Sequence, residues 1–350
     1  MAKERLIKLP QTKGEFKISG IVTGTKKGDK FFNQKKTKTG KDMNLLNFGV
    51  ETNADTTVYV GLNGMVRDEV FFYKRAEKKG EKGTTKKVAW VDRYKFNEDG
   101  YKLIGLNVGV SKKLNDKGEK VNDNNTYTEF DACKQIGDNL QDGQSVFIKG
   151  NIEYSSYKND KDEVKRSTKF VPNQVSLCRD IDFKAEDFQE NNGFKQVIIF
   201  ESIEFDESDA NDKKARVQAK IITYSTIESA EFIIRDKKLA NIFKKGLKPY
   251  NSIKVWGHIT NKIETEEVEE EDVWGESNTF DNASKPSIRE LVITGADPSS
   301  IDTKTYSEEE IDKAVRALKE FGEETSKGSK DSTWGSVDDT KLGEDDDDEW

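Results

Sequence analysis

Histidine occurs once in this chain and cysteine twice, and those two scarcities remove whole classes of function. With His258 as the sole imidazole, most general-base designs have nothing to work with. Cys133, Cys178 and His258 cannot complete a four-ligand Cys/His zinc site, and no CxxC or HxxxH spacing invites a metal. Two thiols do not make the disulfide framework of a small secreted protein, so both read as buried structural cysteines. Long apolar runs are also missing. Nothing approaches the ~20 residues of a membrane span. The opening Met1-Ala2-Lys3-Glu4-Arg5-Leu6 lacks the apolar stretch of a signal peptide, so no membrane partner and a cytoplasmic location are expected. No GxxxxGK[ST] loop, GxSxG elbow, HExxH helix or KxDG motif occurs, and neither an enzyme, a cofactor nor a metal is expected.

Charge is what the chain has in abundance, and it is unevenly placed. Of all residues 35% are charged and only 33% apolar, for a net charge of −8. Residues 1–95 nevertheless hold 22 Lys/Arg against 11 Asp/Glu, whereas residues 323–350 hold 3 against 11. A basic front and an acidic end suggest a polyanion site at one extreme and a solvated tail at the other. The length of 350 suits two ordinary domains.

Strand patterns dominate. Residues 16–22, 43–50, 57–62 and 101–110 read as extended, and in the last Ile104, Leu106, Val108 and Val110 alternate as a core face. The stretches 24–30 and 78–87, rich in lysine and glycine, read as loops. Residues 140–152, LQDGQSVFIKGNI, return 107 positions later as LKPYNSIKVWGHI at 247–259. Each copy follows a short helical stretch, 131–140 or 237–247, and precedes a polar excursion and a further strand, 169–177 or 287–294. Val146, Ile148 and Ile152 match Ile253, Val255 and Ile259 as a period-two core face. Gly150 and Gly257 fall at the same place, suited to a bulge that lets a small sheet curl shut.

Helix, short turn, glycine-containing strand, variable loop and strand is how the second half of an OB barrel reads. The fold expected is mainly β: two tandem OB-type five-stranded barrels, a C-terminal amphipathic helix and a disordered acidic tail. Boundaries are placed at 1–180, 190–297, 306–322 and 323–350. The first copy, from Gly143 to Tyr154 with Tyr157 and the return strand at 170–177, resembles the bacterial single-stranded DNA-binding protein family. Two barrels with an acidic, aromatic-ended tail resemble a bacteriophage replication protein of that kind. In the second copy the loop 264–272 is acidic where a DNA-gripping loop would be basic, which points to a packing, dimerising or partner-binding role. A homo-oligomer is compatible with this reading.

The basic front interleaves lysines with aromatics, as single-strand binders do: phosphates are neutralised by cations and bases stack on exposed rings. The candidates there are Lys26, Lys27, Lys30, Phe31, Phe32, Lys35, Lys36, Lys38 and Lys41, then Phe72, Tyr73, Lys74, Arg75, Lys86, Lys87, Trp90, Arg93 and Tyr94. On the repeated strand Phe147 and Lys149 face away from the core, and Tyr154 and Tyr157 continue into its loop. The resemblance implies that this strand and loop lie along bound DNA. Trp256, the counterpart of Lys149, either stacks on DNA or fills a contact with the terminal helix, the latter being preferred. His258 reads as a plain exposed strand residue.

Ser307-Glu308-Glu309-Glu310 matches a capping box, with Ser307 capping and Glu310 reaching back. Ile311, Val315, Leu318 and Phe321 follow at helical spacing, for a helix docked on the second barrel. Asp345, Asp346, Asp347, Asp348, Glu349 and Trp350 then form an anionic run ending in an aromatic, suited to a basic-rimmed pocket on a partner. Trp334 is a second, weaker anchor. The function expected is sequence-independent binding of single-stranded DNA in replication and recombination, with the tail recruiting partner enzymes. The alternative is a protein–protein assembly module without strong DNA binding.

Overall fold

Period-two burial builds nearly every element. The computed structural model describes residues 7–78, 80–158, 163–209, 212–263 and 287–328. The first half runs β1 (Gly14–Thr23), β2 (Phe32–Lys36), β3 (Asp42–Glu51), β4 (Thr57–Met65), β5 (Glu69–Lys74), β6 (Thr84–Ala89), β7 (Tyr101–Leu103) and β8 (Leu106–Gly109). It continues with β9 (Lys112–Leu114), β10 (Lys120–Asn122), β11 (Asn125–Tyr127), α1 (Glu129–Asn139), β12 (Ser145–Lys158) and β13 (Val164–Leu177). The second half is β14 (Asn192–Asp206), β15 (Lys214–Ile222), β16 (Ile227–Ile234), α2 (Lys237–Gly246), β17 (Ser252–Ile263), β18 (Ser287–Asp302) and α3 (Glu308–Gly328).

The strand pairings make the same ring twice. β1 pairs with β3, β3 with β4, β4 in parallel with β13 at Val60↔Phe170, β13 with β12, and β12 with β1. In the second half β14 pairs with β15, β15 with β16, β16 in parallel with β18 at Ile233↔Val292, β18 with β17, and β17 with β14. Each series returns to the strand it started from, with one helix between the third and fourth strands. Thr128 caps α1 by accepting from Asp131 N–H, and Asp236 caps α2 by accepting from Lys238 and Leu239 N–H. The buried faces of these helices, Ala132, Cys133 and Ile136 in α1 and Ala240 and Phe243 in α2, join the core.

The repeated glycines sit at the predicted irregularities. The β12–β13 register shifts between Lys149 and Gly150, and the β17–β18 register between Trp256 and Gly257. A Cβ on Gly150 would lie 2.0 Å from the Val171 carbonyl oxygen, and one on Gly257 1.8 Å from that of Val292. Strands this close tolerate no side chain.

The rings are joined by β1 and β14, which run antiparallel with Phe16 opposite Phe194. A second cluster ties them further. Ile7 and Leu9 pack with Ile199, Ile222, Tyr306, Ile311 and Ala314, against which Val315 and Leu318 also lie. Thr12 N–H donates to the Ile222 carbonyl at 3.0 Å and its Oγ1 accepts from Ile222 N–H at 2.7 Å. The segment leading into the first ring is thus a strap in the second ring's apolar cluster, under α3.

Several expectations need correction. The 101–110 stretch is broken into β7 and β8, and Ile104 at the break is exposed, because its N–H donates to Phe71 in the appended sheet instead of continuing a core strand. Residues 84–87, expected in a loop, belong to β6 because they pair with β5. The terminal helix, expected to end at 322, runs to Gly328. Ser307 Oγ accepts from Glu310 N–H at 3.4 Å, but the Glu310 carboxylate pairs with Lys313 at 2.9 Å rather than reaching back. Cys133 is buried as expected; Cys178 is only half-buried. The acidic loop 264–272 lies outside the described residues.

The strap yields a stability prediction. Ile7 is completely buried, and Ile7→Ala should destabilise the full chain by roughly 2–5 kcal/mol, the usual range for such a truncation. Urea unfolding checks this; a midpoint unchanged from the parent would mean the strap contributes nothing.

Candidate nucleic-acid interface

The connection from β1 to β3 is an arch of lysines held down by aromatics. Phe31 is buried, and Phe32 packs partly buried against α1, where its ring approaches Gly137. Neither is free to stack on a base: a long basic loop needs anchors, and these two supply them. Lys26, Lys27, Lys30, Lys35, Lys36, Lys38 and Lys41 all remain exposed. Lys36 pairs with Asp42 at 2.7 Å and Lys41 with Asp68 at 3.2 Å, whereas the other five form no ion pair among the described residues.

Asp68 brings the arch to the start of an appended three-stranded sheet, β6-β5-β7. On β5 the parity decides everything. Val70 and Phe72 turn inward, Phe72 meeting Phe96 at 4.6 Å between ring centroids. Phe71 and Tyr73 turn outward, 39% and 43% exposed. Lys87 stands opposite Phe71, and Thr85 and Lys102 stand opposite Tyr73. This outer face is a platform of rings alternating with cations. Phe72 is therefore core; Phe71, its neighbour in the same basic and aromatic run of the sequence, is the displayed ring, and Lys102 is a surface group that sequence reasoning missed. Lys87 also pairs with Glu69 at 3.1 Å. Lys74 and Lys86 turn to the Tyr101 ring, and Lys86 is further held by Glu98, so they serve the sheet's own packing. Arg75 is exposed just past the end of β5.

Trp90, Arg93 and Tyr94 form a latch rather than a stacking surface. Arg93 donates to both carboxylate oxygens of Asp131 at 2.8 and 3.1 Å and lies 4.3 Å from the Trp90 ring centroid. Tyr94 Oη–H donates to the same carboxylate at 2.7 Å, and Trp90 meets Phe130 edge-on. The appended sheet is thereby clamped to the first turn of α1. Tyr94 keeps an exposed edge, but its hydroxyl is committed. Desolvation and the Asp131 hydrogen bond push that hydroxyl up to about 12. Desolvation pushes Asp131 upward, but the bonds from Arg93, Tyr94 and Thr128 together outweigh it and hold the carboxyl below its ordinary value.

On β12 Phe147 and Lys149 are half-buried and Tyr157 is exposed. Tyr154 is core: its side chain is buried, its hydroxyl has no partner among the described residues, and desolvation raises its pKa. It therefore cannot lie along DNA as expected; period-two alternation from Ile152 turns it inward. The face of β3 and β4 was not anticipated. Val58, Val60 and Leu62 point in, so Tyr59 points out at 47% exposure beside Asn47, Gly61 and Asn63. That alternation was the available signal. The corresponding face of β15 and β16 is closed by its own charges: Arg216 pairs with Asp206 at 2.9 Å and Glu231 at 3.0 Å, and Lys220 with Glu201 at 2.6 Å. Trp256 lies exposed across Gly295, outside the apolar cluster that holds Ile311 and Ala314 of α3. His258 is an exposed strand residue bonded to Asn192 at 2.9 Å. Trp334, Asp345, Asp346, Asp347, Asp348, Glu349 and Trp350 lie outside the described residues, and among those described no group of three or more His, Cys, Asp or Glu is placed to hold a metal ion. No helix among them is long and apolar enough to cross a membrane.

The latch predicts a pH dependence. A carboxyl whose folded pKa is depressed stabilises fully above its unfolded value and loses that contribution as pH falls through the folded one. Docking of the appended sheet should therefore hold above about pH 4 and weaken below it. Proteolysis within residues 66–105 should accelerate in that acid range for the parent, and already at pH 7 for Asp131→Asn. Equal cleavage of the two proteins at pH 7 would exclude the latch.

No curated protein matches the sequence. Among solved structures, the chain is similar to a deletion mutant of the single-stranded DNA-binding protein from Thermus aquaticus: TM-score 0.41, 11% identity, covering 82% of this chain and 94% of that one. The wild-type protein gives 0.40 and 11%, covering 82% and 93%. At those values neither likeness says what this chain binds. A sequence profile described as YorF matches residues 74–328. That span is well over half of the chain, which belongs to the YorF family.

Proposed function

We propose that this protein binds single-stranded DNA without reading its sequence, along the exterior of the first ring, and that each ring is an OB-type barrel. The observation that carries the reading is the outer face of β5, where exposed Phe71 and Tyr73 stand in register with Lys87 and Lys102. This platform joins the lysine arch through the Lys41–Asp68 pair. Exposed rings offer stacking to any base, worth roughly 1–3 kcal/mol each, and the lysines displace counterions from phosphates. Neither contact depends on a base edge, so the binding is sequence-independent. The OB assignment is supported by the order of pairings, five strands with a helix between the third and fourth, in both rings. The second ring, whose outer face is occupied by its own ion pairs, is secondary in this reading. Replication and recombination, in a bacteriophage setting, are the processes such a protein serves.

Titration of oligo-dT at two salt concentrations tests the reading. Affinity should fall with salt at a log–log slope of about −0.7 per neutralised phosphate, and single strands should outcompete duplex. Phe71→Ala with Tyr73→Ala should weaken binding by roughly one to two orders of magnitude, the expected loss of one or two stacking contacts. Tighter binding to duplex than to single strands would refute it.

The acidic end adds a recruiting function. Its aspartates compete with phosphates for the lysine arch, and Trp350 supplies the apolar anchor for a partner enzyme of replication or recombination. Deleting residues 343–350 should raise affinity for single strands, most at low salt where charge is least screened. Trp350→Ala should leave DNA affinity unchanged and reduce partner capture in a pull-down. Undiminished capture by that variant would reduce the tail to a solubilising appendage.

A further inference from the structure

Beside the open face of β3 and β4, the two rings meet around a cleft of ≈ 570 Å³. Tyr59, Asn47 and Asn63 line it together with the cations Arg67 and Lys169 and the carboxylates Glu129 and Glu153, and the second ring reaches into it with Arg289, near the start of β18. Arg289 donates an N–H to the Thr168 carbonyl at 2.7 Å, and its guanidinium lies 5.5 Å from the Phe170 ring centroid. No carboxylate of the described residues lies within ion-pair distance of it. Arg289 keeps an exposed side, and partial desolvation lowers its pKa from the ordinary value, against an opposing effect of Tyr59. A guanidinium positioned by a carbonyl and a ring face, rather than neutralised by a carboxylate, keeps both its charge and most of its planar fork for an anion.

We infer that the second ring contributes to the strand path through this one side chain: Arg289 clamps a phosphodiester of a single strand whose base rests on Tyr59. The inference rests on the single-strand reading above and adds to it a composite site that neither ring holds alone. It also gives the second ring a place in binding despite its charge-paired outer face.

The test uses the full chain and oligo-dT across a salt series. Arg289→Ala should weaken binding about ten-fold, as expected for loss of one charge-assisted contact, and should reduce the salt slope by about 0.7, one phosphate. Arg289→Lys should keep the slope, since the charge remains. Tyr59→Ala should weaken binding with the slope unchanged, because stacking releases no counterion. Asn261→Ala controls for the relative placement of the rings. Asn261 lies opposite Arg289 on the neighbouring strand and donates to the Thr57 carbonyl at 2.8 Å, crossing the same junction without a charge. Equal losses in Arg289→Ala and Asn261→Ala, with neither slope changed, would overturn the inference, as would Arg289→Ala binding like the parent. A parent chain with no salt-dependent affinity for oligo-dT would instead remove the functional reading itself.

Discussion

A five-stranded ring with these pairings leaves part of its first strand uncovered, and the way that edge is closed governs the whole molecule. β1 is paired along one side by β12, but on its other side β3 takes only Ile21, Val22 and Thr23. Residues 14–18 would present bare N–H and C=O groups there, a liability for any sheet. β14 has the same shortfall: β15 begins its pairing only at Ile199, leaving residues 192–196 open. The two gaps are the same length and pair with each other, antiparallel, from Gly14↔Gln196 to Ile18↔Asn192. Neither ring then has an unpaired first strand, and an approximate two-fold relation follows. Phe16 faces Phe194 across the joint, and each lies opposite its own bulge glycine, Gly150 or Gly257.

Equivalent frames have been given unequal surfaces. On the first ring the β3–β4 face carries Asn47, Tyr59 and Asn63, groups that leave a ring and amides open to a ligand. On the second, the β15–β16 face is cross-linked by Arg216 with Asp206 and Glu231. Near its rim Glu290 holds both Lys214 at 3.0 Å and Arg235 at 2.6 Å, with Asp212 completing the network. Salt-bridge networks of this kind stiffen a surface and leave little field for a polyanion. The appended sheet, latched to α1 through Asp131, belongs to the first ring only.

What was legible in the sequence follows from period and repetition. The 107-residue repeat, its helices, its alternating core face and its bulge glycines all reappear in the pairings, because each is a local pattern with one geometric solution. The site was legible in composition but not in parity. Val70-Phe71-Phe72-Tyr73 is a continuous apolar run, and such a run does not say which side faces water; only the packing of Phe72 on Phe96 decides that Phe71 is displayed. Trp90, Arg93 and Tyr94 look like a base-binding cluster until Asp131, far along the chain, takes their charge and hydroxyl. Arg289 carried no signal at all. Its place in the cleft depends on how two rings join, and nothing near it in sequence records that contact.

The arch remains the strongest physical argument for a polyanion. Lys26, Lys27, Lys30, Lys35 and Lys38 crowd one exposed connection with Asp29 as the only acid from residue 24 to residue 41. Like charges held this close repel, and where this protein wants charge neutralised it does so, as around Glu290. Five cations with no ion pair among the described residues, Lys26 acting on Asp142 only through space, fit the proposal that their counter-charge comes from outside. In the proposed reading, a strand of phosphates spaced along the arch would relieve the repulsion and release its own counterions in the same step. The anchoring by Phe31 and Phe32 then has a purpose beyond packing. It holds the cations apart from the core and in one place, so under the same proposal the loop would lose less freedom on binding a strand.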